Sequence, residues 1–256
     1  NNFGQTDISA ANVVSISNGY FQSYAVTEDG TVVTAGLKGY LMGTDGFGRD
    51  IFTRLVSGGR MTMTIGAIAV IISVIIGVII GGFSGYYGGK VDNILMRFAE
   101  IVASIPFLPF AMILSAIVGN SLSEIQRIAV IMVILGVLSW PSLARLVRAQ
   151  ILAEREKEFV TAAKAMGIKE IAIIFKHILP NVITVVIVDT TLAFASCMLT
   201  ESSLSFLGFG VIEPTPTWGN MLNGSQASTV IQNYWWRWVF PSLALSLSTI
   251  SINLIG

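Results

Sequence analysis

Five stretches of the chain are nearly unbroken apolar runs, near 61–83, 98–118, 128–148, 182–201 and 236–256. Each is long enough to cross a bilayer as a helix, which takes about 20 residues. The first holds twelve Ile, Val or Phe and no charge, and these side chains contribute about −4 to −7 kcal/mol to insertion. The fourth has nine strongly apolar residues, about −3 to −5 kcal/mol, set against about +2.5 to +3.5 for Asp189 near its middle. Asp189 is therefore expected to face protein or water and not lipid. The second run carries Pro106 and Pro109, each of which removes a backbone donor and disrupts the helix. The freed carbonyls then need partners from neighbouring helices or water.

The polar stretches between these runs differ from one another. Residues 1–60 hold short alternating runs, and Tyr24–Thr27 and Thr31–Thr34 flank Glu28-Asp29-Gly30, a hairpin pattern. Gly208 to Tyr234 is rich in Gly, Pro and Asn and reads as a structured loop. Residues 155–180 are charged and helix-prone. There Glu158–Met166 predicts a short helix with Phe159, Ala162, Ala163 and Met166 recurring on one side. Gly167 permits a sharp reversal, and Ile168–Ile178 predicts a second short helix stopped before Pro180.

Composition agrees with this pattern. The 256 residues are 53% hydrophobic and 12% charged, where a soluble domain carries about 25% charge. Mean hydropathy is +0.74. The fold class is an all-α, polytopic membrane bundle, because a β-barrel would show short alternating segments instead. Net charge is zero, so nothing points to nucleic acid. Cys197 is the single cysteine and excludes an internal disulfide. Arg145, Arg148, Arg155, Lys157, Lys164, Lys169 and Lys176 crowd one loop, which the positive-inside rule places in the cytoplasm. By counting, 1–60 and the loop 202–235 lie outside, loop 149–181 and residues 84–97 lie inside, and Trp235, Trp236 and Trp238 fall at the outer interface.

Six ordered landmarks resemble one family. They are GTDGFGRD (Gly43–Asp50), MRFAEIVASIPFLP (Met96–Pro109), EFVTAAKAMG with HILPN (Glu158–Asn181), LTESSLSFLGFG (Leu199–Gly210), PTPTWGNML (Pro214–Leu222) and the run Trp235–Gly256. The chain is similar to permease subunits of bacterial binding-protein-dependent ABC importers, peptide/nickel branch, and within it to the second permease of dipeptide and oligopeptide systems. The family's cytoplasmic signature is Glu-Ala-Ala, three residues, Gly, then nine residues before Ile-x-Leu-Pro. Here Thr161 replaces the Glu, Ala162, Ala163 and Gly167 fit, and His177 replaces the Ile before Leu179-Pro180. Glu100 stands where the branch often has Asp. The family has one more span before the outer segment and a charged tail after the last span, so the resemblance implies that both lie beyond this sequence.

The resemblance implies a multi-pass protein of the bacterial cytoplasmic membrane that forms half of a pore for dipeptides or oligopeptides. A second, homologous permease completes the pore, two cytoplasmic ATPase subunits bind ATP and Mg, and an extracytoplasmic solute-binding protein delivers the peptide. The loop holding Glu158, Phe159, Ala162, Ala163, Met166, Gly167, His177, Leu179 and Pro180 is expected to dock on an ATPase. No Walker A pattern occurs in this chain, so it does not hydrolyse ATP alone, and no cofactor or metal site is expected in it. The same role for nickel chelates or another small solute is the alternative. An ion-coupled secondary transporter is a further rival, but the inverted repeats common in that class are not visible.

Each remaining residue has a bland reading beside a functional one. Asp189 and Glu201 are candidates for a polar path, with Pro106 and Glu100 as candidate gate residues; intramembrane acids default to function. For Glu201, near the outer end, helix support is preferred. For Asp189 the two readings stand level. Arg97 and Glu100 form an (i, i+3) pair and are read as local bracing. Gly43–Asp50 resembles a phosphate loop only superficially and is read as a turn that seats the first span. His177, the lone histidine, is too few for a metal and is assigned to a backbone or partner contact.

Overall fold

The computed structural model describes residues 8–18, 22–36, 40–119 and 123–256. Ahead of the helices lies a three-stranded antiparallel sheet, β1 (Val13–Asn18), β2 (Gln22–Thr27) and β3 (Val32–Gly36), in that order. The expected hairpin is its β2–β3 arm, with Tyr24 opposite Thr34 and Val26 opposite Val32. Gly30 takes φ 80° in the turn, and the Asp29 carboxylate accepts from the Thr27 hydroxyl and the Thr31 N–H. β1 is an additional strand; Val14-Ser15-Ile16-Ser17 carries the strand period of two.

The first span is α1 (Ile51–Tyr87), 37 residues long. The predicted 61–83 is only its apolar middle. Asp50 starts the helix earlier by accepting from the N–H groups of Phe52 (3.2 Å) and Thr53 (3.0 Å), an N-cap of the usual kind. The second expected span is two helices, α2 (Gly89–Ser104) and α3 (Phe107–Gly119), bent by 76°. Ile105 is extended, as a residue before proline prefers. Pro109 falls in the first turn of α3, where its missing N–H costs little.

α4 (Glu124–Glu154) opens on a capping box between Ser123 and Gln126. After a short α5 (Glu158–Ala165) and α6 (Glu170–Ala172), a π-type turn at Ile173–Ile178 leads into α7 (Leu179–Phe206). This overturns the expectation of a helix stopped before Pro180. In the π turn the Leu179 N–H reaches the Ile174 carbonyl, five residues back. Pro180 follows in the first turn of α7, so Glu170–Phe206 runs on as one 37-residue helix. The segment Gly208–Tyr234 contains α8 (Trp218–Asn223) and α9 (Ser228–Asn233), and α10 (Trp236–Ile255) closes the fold. Among the described residues, four helices are long and apolar enough to cross a membrane, or five spans with the bent pair.

α1 and α4 pack most closely, and glycines explain why. Gly77, Gly81 and Gly85 recur every fourth residue on α1. A methyl at Gly81 would stand 2.5 Å from the Ala144 carbonyl oxygen, and one at Gly85 2.7 Å from that of Arg148. Gly136 of α4 reciprocates, 2.7 Å from the Ala69 carbonyl oxygen. Helices in lipid gain little from hydrophobic association, so backbone approach over small residues carries the packing.

Candidate coupling surface and transmembrane cavity

At the end of the bundle where α1 and α4 finish, α5 lies as an elbow. Gly167 adopts φ 74°, which lets the Ile168 N–H return to the Ala163 carbonyl at 3.1 Å and reverse the chain. Val160 and Ala163 are buried against Ile151, Ile173, Ile174 and Ile178. The predicted stripe is therefore split. Ala163 faces the bundle, Phe159 is half-buried, and Ala162 and Met166 are exposed, Met166 to 72%. The inward face is the 160/163 side, because burial follows the β-branched Val160, not the smaller Ala162.

The elbow is fastened to its neighbours by polar contacts as well. Arg155 donates to the carbonyls of Gly85 (3.1 Å) and Tyr86 (3.2 Å), the unpaired end of α1. Lys164 Nζ stands 5.1 Å from the Tyr86 ring centroid, and Tyr87 bonds Glu170. Arg148 grips Asp92 with two guanidinium nitrogens, and Ser84 donates to the same carboxylate. One clasp thus joins α1, α2 and α4. Arg97 and Glu100 pair at 2.8 Å on the exposed face of α2, as their spacing suggests, beside a cavity of about 530 Å³ that Arg145 and Arg148 also line. His177 and Pro180 are exposed and Leu179 is half-buried.

Midway along the bundle a second cavity of about 330 Å³ opens between α1, α3, α4 and α7. Asp189 lines it, with Ser73, Ser139, Ser142, Ser196 and Thr200. Its carboxylate is half-buried, in line with the insertion argument. Pro106 sits at the bend between α2 and α3, and the following Phe107 reaches the cavity wall. The hydroxyl set went unread in the sequence. Asp189, Ala193, Ser196 and Thr200 share one helical face, so spacing along α7 held half of the signal. The serines from α1 and α4 needed the fold.

Glu201 lies apart from that cavity. It is 0% exposed and accepts from Ser205 (2.7 Å) and Ser202 (3.3 Å), with the Thr62 and Thr217 hydroxyls beside it. Ser205 Oγ in turn accepts the Val211 N–H at 3.0 Å. The residue ties α7 to α1 and to the loop before α8.

At the sheet end, Gly43–Asp50 is a staple. Asp45 accepts from the N–H groups of Phe47 (2.8 Å) and Arg49 (3.0 Å) and from the Arg49 guanidinium (2.7 Å). Burial pushes its carboxyl up, but these donors outweigh burial and hold it below the usual carboxylate range. Arg49 and Arg54 both reach Glu213, at 2.7 and 3.2 Å. Gly43 takes φ 75° with Trp236 directly over it, and the Trp236 indole donates to the Thr44 carbonyl at 3.1 Å. No phosphate cradle forms, and the turn seats α1 as expected. Trp235 is 52% exposed.

The helical bundle has counterparts of known structure. One solved relative of this shape is the methionine ABC transporter MetNI in inward-facing form: TM-score 0.58, 19% identity, covering 79% of this chain and 92% of that one. That likeness concerns fold alone. Residues 73–256 match the family described as binding-protein-dependent transport system inner membrane component, and the chain belongs to it. The oligopeptide transport system permease protein OppC of Escherichia coli is 42% identical over 219 residues, 86% of this chain and 70% of that protein. The dipeptide transport system permease protein DppC of Alkalihalophilus pseudofirmus is 38% identical over 234 residues, 91% and 74% respectively.

Proposed function

We propose that this permease forms half of the pore of an ATP-driven importer of short peptides, and that the segment Glu158–Pro180 couples it to a motor. A second permease completes the pore, two ATPase subunits dock below, and a binding protein delivers cargo to the sheet end. The names of the relatives support peptide as cargo. The seven Lys and Arg of loop 145–177 support an inward-facing elbow.

One observation carries the coupling role. α5 shares a buried core with the ends of α1, α4 and α7 while presenting Ala162 and Met166 outward. A push on that outer face moves three spans together, because a packed core transmits displacement instead of absorbing it. ATP binding closes the ATPase pair, the elbow carries the motion, and the spans turn the pore outward; hydrolysis resets it. ATP and Mg reside in the partners.

The test is Ala162→Trp in the assembled transporter, assayed for ATP-dependent uptake of a tripeptide into proteoliposomes. Ala162 is exposed, so the chain folds, the ATPase no longer seats, and uptake falls at least about tenfold, the weight of about 1.4 kcal/mol at an interface. Wild-type uptake would overturn the coupling role.

A further inference from the structure

The midway cavity has a chemical bias beyond being polar. Three of its hydroxyls donate their hydrogen to their own helix: Ser139 to Leu135 at 2.6 Å, Ser196 to Leu192 at 3.2 Å, and Thr200 to Ser196 at 2.8 Å. Each then has only lone pairs left to offer. Asp189 adds a carboxylate, and among the described residues it has no hydrogen-bond or ion-pair partner. None of the side chains lining the cavity is Lys, Arg or His. The remaining wall is apolar, with Val70, Val74, Phe107 and Leu143, so water screens the carboxylate poorly. The result is an acceptor-rich chamber of about 330 Å³ with one carboxyl group and no lining cation, large enough for an amine group and its first carbons.

We propose that this chamber is a station for a primary ammonium, and that Asp189 is its specificity-determining residue. The α-ammonium of a peptide is a cation with three donors, which a carboxylate on an acceptor-lined wall favours. The Thr190 hydroxyl can donate, but no cation lines the chamber to offset a free carboxylate beside Asp189. The station acts on the part of the cargo common to all peptides with a free amino end, so it is indifferent to sequence. For peptide cargo it rests on the function proposed above; the charge preference of the chamber does not.

Two readouts in the assembled transporter test it. Ser196→Cys with Cys197→Ala places one reactive thiol in the chamber, and its rates with a cationic and an anionic methanethiosulfonate reagent are compared. With Asp189 present the cationic reagent is favoured. Asp189→Asn lowers the cation-to-anion rate ratio by about tenfold, the effect of removing one poorly screened charge nearby. In parallel, Asp189→Asn lowers uptake of trialanine about tenfold, the weight of one charge-assisted hydrogen bond, with unchanged yield of assembled complex, and Asp189→Glu restores part of it. A charge-blind labelling ratio overturns the proposal. So does a thiol unreactive in both nucleotide states, which would mean that a partner chain or lipid covers the chamber. So does a loss of assembled complex in Asp189→Asn, which would make Asp189 an interface residue. If labelling is charge-selective but the unmutated transporter takes up no peptide, the reading of the cargo fails and the ammonium station stands.

Discussion

The two ends of the bundle both combine apolar clusters with charged contacts, but in different balance. At the elbow end, Ile151, Val160, Ile173, Ile174 and Ile178 are all 0% exposed and form one apolar core with α1 and α7. At the sheet end, the turn before α1 is fastened by a ring of charges, Asp45, Arg49, Arg54 and Glu213, with the Trp236 indole laid over it. An apolar core is indifferent to salt and pH and moves as a unit. A charged ring responds to both and can open link by link. The difference suits the proposed function, in which the inner end receives a mechanical push and the outer end parts to admit cargo.

The largest test of this contrast is a cavity cut into the elbow end. Ile174→Ala should cost about 2–5 kcal/mol, seen as a fall in thermal midpoint of the purified transporter that is the same in low and high salt. Next is Arg49→Ala at the sheet end, the more exposed arginine of the ring. Loss of its links to Asp45 and Glu213 should cost about 1–3 kcal/mol. The difference from the parent protein should shrink as salt rises, since charges near the surface are screened. A salt-independent loss would merge the two ends into one kind of packing.

The smallest effect is on acidification. The Asp45 carboxyl is held below its ordinary value of 3.8 by its hydrogen bonds and by Arg49. The folded turn thus favours the ionised form. Its contribution is complete above the ordinary value and is lost as pH falls through the lower folded one. Trp236 fluorescence, which reports on the Thr44 carbonyl contact, should stay constant from neutral pH down to the ordinary carboxylate range and change only below it. A change between pH 7 and 5 would contradict this assignment.

Much of this fold is legible in the residues, because lipid imposes simple rules. Apolar runs of span length stand out, and Pro106 marks the bend between α2 and α3. Where reading along the chain failed, three-dimensional context had the deciding role. Asp50 extends α1 well ahead of its apolar stretch, since capping acts on the backbone and not on hydropathy. Pro180 did not stop a helix, because the π turn before it alters which carbonyl its ring meets. In α5, composition could not tell which side of a short helix faces in. The hydroxyls around Glu201 come from α1, α7 and the loop before α8 and share no local pattern. The glycines at 77, 81 and 85 did carry a local signal, a four-residue spacing in an apolar run.

The elbow's outer face is the centre of this account, and Met166 is its most exposed large side chain. Cys197, the chain's one cysteine, is buried, so Met166→Cys presents a single accessible thiol. In the assembled transporter, a short bifunctional crosslinker attached there should join the permease to an ATPase subunit and arrest ATP-dependent peptide uptake. A thiol that reacts freely and captures no ATPase, in a transporter importing peptide at the parent rate, would contradict it.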